Sequence, residues 1–141
     1  MATVEFIHFC DYAFLDSNLR PCLMGIKVHI ASVRFPMPVA TLTVAIGLRV
    51  AAGEEAHIRV EIGPLDGKAQ RSANLVISGP PADGPLTEGL KFLPLQHVSL
   101  YFARPHTLLA RVIQGETILA TRTLHLIETQ TSGPTSGSSP T

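Results

Sequence analysis

The stretch ATLTVAIGLRVA, residues 40–51, decides the fold class more than any other part of the chain. Leu42, Val44, Ile46, Leu48 and Val50 alternate without a break with Thr41, Thr43, Ala45, Gly47 and Arg49. A period of two puts the five aliphatic side chains on one face of a β-strand; a helix would scatter them around its circumference. Shorter stretches of the same kind follow at close spacing with turn residues between them, the pattern of an all-β sandwich or barrel. HIRVEI, residues 57–62, points Ile58, Val60 and Ile62 inward, and PLDG, residues 64–67, is a β-turn in which Pro pre-sets φ.

Residues 72–78 read as a further strand. GPPADGP, residues 79–85, is a loop, since three prolines and two glycines forbid both a helix and a central strand. Residues 86–94 show no clear period and read as an irregular crossover. QHVSLYF, residues 96–102, carries Val98, Leu100 and Phe102 on one face. TLLARVIQ and TILATRTLHLI, residues 107–114 and 117–127, flank a tight hairpin in which Gly115 supplies a positive φ. At the N-terminal end, residues 4–15 form a strand apolar on both faces. Residues 16–21 join it to a strand over 22–30, where Met24, Ile26, Val28 and Ile30 alternate with Gly25, Lys27 and His29. RFPMP, residues 34–38, is a proline-stiffened crossover.

These segments amount to an all-β chain of seven to eight strands, expected to form an immunoglobulin-like antiparallel sandwich, with a β-barrel as the alternative. The 141 residues fit one domain over residues 1–128. Residues 129–141, TQTSGPTSGSSPT, include no apolar type and are expected to form a flexible tail.

Charged residues make up 16% of the chain, against about 25% in an average globular protein. With so few charges to cover the surface, exposed apolar area and hence a protein partner or a homo-oligomer are expected. Eleven basic residues balance eleven acidic ones, and Lys27, Arg34, Arg49, Arg59, Lys68 and Arg71 are scattered rather than striped. Nucleic-acid binding, which needs an electrostatic footprint, is therefore not expected. The opening MATVEFIHFCDYAFLDS lacks the basic start of a secretory signal, and no run reaches the ~18 apolar residues of a membrane span. A cytoplasmic protein with free thiols at Cys10 and Cys22 is expected.

HFCDYAF, residues 8–14, concentrates the groups that chemistry would use. On one strand His8 and Cys10 are parallel neighbours, not aimed at each other as a thiol nucleophile and its base must be. Cys10 is expected to be a small buried hydrophobe. Asp11, set among apolar residues, is expected to be a buried structural carboxylate with a hydrogen-bond or ion-pair partner. The histidines at 8, 29, 57, 97, 106 and 125 lack the short spacing of a metal site, and no phosphate loop or nucleophile elbow is present. No catalytic, cofactor or metal residues are assigned, and no cofactor is expected.

The chain resembles an uncharacterised bacterial family of small all-β proteins. The matching features are Phe9-Cys10-Asp11 at the end of a first strand, the turn Asp16-Ser17-Asn18, Leu23-Met24-Gly25-Ile26, the Phe35-Pro36 crossover, the turn Leu65-Asp66-Gly67 and the closing hairpin at Gly115. The resemblance spans about residues 4–127 and implies a sandwich. It implies no activity.

The expectation is a non-catalytic protein-interaction or assembly module. The alternative is an enzyme whose site is built from Asp11, Cys10 and strand histidines. A small-molecule ligand is disfavoured, because the chain has no Trp and only Tyr12 and Tyr101 as stacking platforms. If Leu108, Ala110 and Val112 face the core, then Leu109 and Ile113 face outward beside Leu119, and these three are the interface candidates. A fold-over of residues 86–94 is the intramolecular way to cover them.

Overall fold

The computed structural model describes residues 1–32, 37–102 and 104–129. Its strands in chain order are β1 (Thr3–Cys10), β2 (Tyr12–Leu15), β3 (Pro21–Met24), β4 (His29–Ser32), β5 (Met37–Ala51), β6 (Glu55–Pro64), β7 (Arg71–Ser78), β8 (Glu88–Phe102), β9 (His106–Gln114) and β10 (Thr117–Glu128). They form a three-stranded sheet, β1-β5-β8, a five-stranded sheet, β4-β10-β9-β6-β7, and a separate hairpin, β2-β3. The chain is thus all-β, as its period-two stretches require. All pairings among the described residues are antiparallel except that of β4 with β10.

The two larger sheets face each other across one apolar core. From β5 it takes Leu42, Val44, Ile46, Leu48 and Val50; from β6, Ile58, Val60 and Ile62; from β9, Leu108, Ala110 and Val112. Phe9 and Ile7 on β1, Ile77 on β7, Leu100 on β8 and Leu124 and Leu126 on β10 also belong to it. The hairpin forms a second, smaller cluster on the far side of the three-stranded sheet. There Ala13 and Leu23 pack on Cys10 and Ala45, beside Phe6 and Phe92. This cover explains why Thr43 and Ala45, on the face of β5 opposite the main core, are as buried as the core itself.

Several segments differ from expectation. The strand expected over residues 4–15 ends at Cys10 and resumes at Tyr12. At the break, the Asp11 amide donates to the carbonyls of Met24 (2.9 Å) and Gly25 (3.2 Å). The strand expected over 22–30 also splits, because Gly25 adopts φ +67°, a conformation that sharply disfavours a Cβ. Beyond it the chain crosses the free edge of β1, with the Lys27 amide donating to Phe9 O at 2.8 Å, and reaches β10 as β4. Met24, Ile26 and Val28 consequently stand in solvent, and of that alternating set only Ile30 packs on the core. Residues 88–94, expected to be crossover, belong to β8 and pair with β5. The expected tail lies, from residue 130 onward, outside the described residues, as does most of the RFPMP crossover.

Candidate functional site

The groups considered for chemistry do not converge. Cys10 is fully buried beneath the hairpin, and its thiol is pushed above the usual range chiefly by burial. Among the described residues no imidazole hydrogen-bonds either thiol; the Cys22 thiol lies 3.6 Å from the Arg20 carbonyl. Both cysteines are free. A maleimide reagent is therefore expected to label half-buried Cys22 within minutes and Cys10 only on unfolding, checked by mass spectrometry of the labelled peptides.

Asp11 is a correction to the expected buried carboxylate. The strand ends at this residue, so its side chain is 62% exposed and meets Lys27 Nζ at 3.0 Å. An ion pair this exposed contributes little, so Asp11→Ala is expected to cost under about 1 kcal/mol.

His8 stacks on Phe6, with ring centroids 6.0 Å apart. Burial, and secondarily the Arg122 guanidinium, hold its imidazole below the usual value. The unfolded chain therefore binds this proton more readily than the folded one. The stabilising contribution is complete above the ordinary histidine range and is lost as pH falls through it. His8→Gln should flatten the fall in melting temperature between about pH 7 and pH 5. An unchanged profile would assign that titration to another group.

His29 and His125 are register partners on β4 and β10, and both are exposed. Thr107 Oγ1 lies 3.2 Å from His125 Nδ1. Among the described residues no three His, Cys, Asp or Glu side chains gather where they could hold a metal ion, and no helix is long and apolar enough to cross a membrane.

The interface candidates are placed differently from expectation. Leu109 and Ile113 do lie on the face of β9 away from the core, yet they are only 8% and 6% exposed. Leu109 pairs with Gly63 on β6. A Cβ on Gly63 would stand 2.7 Å from Ala69 Cα and Lys68 O, so the chain after β6 folds back over this part of the face. The segment at 86–94 plays no such part, since it lies in the other sheet. Ile113 pairs with Arg59 and Ile118. A β-bulge between Ile118 and Ala120 moves the phase of β10 by one residue. Leu119 therefore packs toward the core, and its neighbour Ile118 takes the outward place. The rest of this face carries ion pairs: Arg59–Glu61 at 3.0 Å and Arg111–Glu61 at 3.7 Å.

Of the other exposed apolar residues, Tyr12, Leu15, Leu19, Met24, Ile26 and Val28 lie on or beside the β2-β3 hairpin, while Leu65, Val76, Leu86, Leu90 and Ile127 are spread over the rest of the fold. Register pairs Tyr12 with Met24 and Phe14 with Cys22 on the hairpin face turned away from Ala13 and Leu23. Tyr12 and Met24 are 48% and 58% exposed, and Tyr12 contacts Phe14 ring to ring at 5.8 Å. Ile26 and Val28 continue this apolar run along the edge of β1.

The loop closing the hairpin is tightly built. Asp16 Oδ1 accepts from the amides of Asn18 (2.8 Å) and Arg20 (2.9 Å), and Asp16 Oδ2 accepts from Arg20 Nε at 2.8 Å. The Arg20 amide first, with that of Asn18 and the Arg20 side chain, holds the Asp16 carboxyl below its usual range. The loop forces Leu19 into the left-handed region at φ +61°, where a non-glycine residue is strained, and leaves its side chain 76% exposed. The hairpin is fastened to the sheet by Gln96, whose amide nitrogen donates to Ala13 O and whose oxygen lies 2.8 Å from Thr43 Oγ1.

Sequence reasoning missed this surface because it counted Met24, Ile26 and Val28 as one face of a regular strand. The signal that could have found it is Gly25, an interruption midway through that strand.

No curated protein matches the chain. One family model, described as a family of unknown function (DUF6941), matches residues 5–126, from within β1 to within β10. With nearly all of the folded part matched, the chain belongs to this family of unknown function.

Proposed function

We propose that the protein is a non-catalytic, cytoplasmic interaction module that docks a partner protein on the outward face of its β2-β3 hairpin. One observation carries this reading. The tip of the hairpin holds a large apolar side chain, Leu19, in solvent at a strained backbone position, and Tyr12 and Met24 at its open end, with Ile26 and Val28 beyond, are exposed as well. Strain of this kind persists only where the surroundings enforce it, and it concentrates at functional positions. A partner with a concave apolar surface would take up these side chains, each worth about 1.5–3 kcal/mol on burial.

Substituting Leu19 separates a functional role from a structural one. Leu19→Gly removes the conformational strain and should raise stability by about 1 kcal/mol. The same change deletes the displayed side chain and should weaken partner binding about tenfold or more. The partner is identified by photo-crosslinking in the native cell from residue 19 or 24, with residue 59 on the charged face of the five-stranded sheet as control. Crosslinks from 19 and 24 alone, with that from 19 lost in a Met24→Ser background, support the reading. Crosslinking that is absent, or equal at 59, overturns it.

A further inference from the structure

The edges of the two sheets are protected very unequally. The free edge of β1 is bridged by Lys27 and by the Asp11 amide. β4 is four residues long. β8 carries Pro94, and its register with β5 shifts twice. Short length, proline, irregular register and coverage are the devices that blunt an edge against pairing with another chain. The remaining edge, β7, has none of them. It is eight residues long, holds an unbroken register with β6 from Arg71 to Ser78, and carries no charge after Arg71. Among the described residues, none of its backbone groups bonds to any strand but β6.

Beside this edge, between β7 and β8, the sandwich is open. The cleft there has a volume of about 530 Å³ and its lining includes Val60, Ile62, Arg71, Ala73, Leu95 and Val98. On β7 the residues facing the core side are Arg71, Ala73, Leu75 and Ile77, and those facing solvent are Ser72, Asn74, Val76 and Ser78.

We propose that β7 pairs antiparallel with β7 of a second copy of this chain, about a two-fold axis through Leu75. The strand suits itself as a partner. Antiparallel pairing about Leu75 keeps core-side residues with core-side residues and sets small against large, Ala73 opposite Ile77 of the second copy. That places the second copy's Ile77 at the mouth of the cleft. The solvent side sets Asn74 opposite Val76, with no charge on either. Each Arg71 is carried to an opposite end of the pairing, and the balance of eleven basic and eleven acidic residues leaves little long-range repulsion between copies. The contact is isologous and closes at two copies, joining two five-stranded sheets into one. A single strand pairing falls at the small end of stable interfaces, below about 1,200 Å², so a micromolar dimer is expected.

The test is sedimentation velocity from 5 to 500 µM, run on the full chain. Wild type should pass from monomer to dimer in that range. Asn74→Lys with Val76→Lys puts two pairs of like charges directly opposite each other across the axis, while in the monomer both positions are exposed. This variant should keep its melting temperature at low concentration and bind itself about tenfold more weakly or worse. Mixing it with the Asn74→Glu, Val76→Glu variant should restore a dimer. Amide exchange supplies a second readout, with the β7 amides becoming protected as wild-type concentration rises. A wild type that stays monomeric at 500 µM, a dimer indifferent to the lysine pair, or a mixture that fails to associate overturns the proposal. The Leu19→Gly hairpin variant should dimerise as wild type does, so the two surfaces are tested separately.

Discussion

Phe9→Ala should lower the free energy of unfolding by about 3–5 kcal/mol, the range for removing a buried aromatic ring. The ring has no solvent exposure and lies in the core between the two sheets. Its backbone is fixed from both sides: β1 pairs Phe9 with Val44 on β5, and the Phe9 carbonyl accepts the Lys27 amide. Neither neighbour can move in to fill the space without giving up strand pairing, so the cavity persists. A domain of this size has a total stability of about 5–15 kcal/mol, so the variant stands near the threshold of folding. Urea denaturation followed by circular dichroism checks this, as a lower midpoint with an unchanged slope. Phe14→Ala, on the half-buried outer face of the hairpin, should cost clearly less and serves as the internal comparison. A Phe9→Ala cost below about 1.5 kcal/mol would mean that the core relaxes around the lost ring.

The sequence was most legible where one physical requirement governed a whole segment. In residues 42–50 the alternation is dictated by a core on one side, and each of the five aliphatic residues is buried in the structure. The same holds for Ile58, Val60 and Ile62, and for the hairpin at Gly115, where φ is +63°. Reading failed where the alternation of residue types continued while the backbone did not. Nothing in the order of apolar and polar residues marks Asp11 as a strand end, because the break is made by carbonyls of Met24 and Gly25 that approach from another part of the chain. The phase of β10 was equally hidden. Ile118 and Leu119 are both aliphatic, so either can face the core, and only the bulge decides that Leu119 does.

The candidate surfaces were legible in kind but not in place. Low charge and a high apolar fraction do point to exposed apolar area. Its address on the hairpin depends on which segments pair, and long-range pairing is what the local pattern does not encode. Leu109 and Ile113 show the reverse effect: their outward orientation was read correctly, and the burial of Leu109 comes from the fold-back after β6, a tertiary contact, while Ile113 lies between its cross-strand partners Arg59 and Ile118. The unprotected edge of β7 was readable as an uncharged strand over residues 72–78. That it is an edge is a fact of topology alone.

Gly79→Ala should destabilise the protein by about 3 kcal/mol, whereas Gly84→Ala, in the same proline-rich loop, should leave it unchanged or stabilise it by about 0.4–1 kcal/mol. A Cβ on Gly79 would overlap the Ala51 carbonyl oxygen and stand 2.8 Å from the Ala51 carbonyl carbon and 3.1 Å from Val50 O. These are backbone atoms, and they cannot swing aside as a side chain would. Ala51 is held by its pairing with Glu88 on β8, and Val50 is buried in the core. Gly79 cannot retreat either, because its amide donates to Glu54 O at 2.9 Å, while the Gly53 amide donates to Pro80 O at 2.8 Å. The loop after β7 is thereby fastened to the turn between β5 and β6, where the chain passes from one sheet to the other. An added methyl must open this fastening or shift the end of β7 against β6. At Gly84 the nearest atom to an added Cβ is Pro81 O at 3.4 Å, an ordinary contact in an exposed loop. There the methyl only narrows the unfolded ensemble, which favours the folded state. Thermal and urea unfolding of the two variants side by side make a test of sign as well as size. Equal effects from both would mean that the close approach at Gly79 is absent in solution. Loss of stability at Gly79 alone, with concentration-dependent exchange protection of β7 weakened in the same variant, would show that this fastening also sets the line of the edge strand.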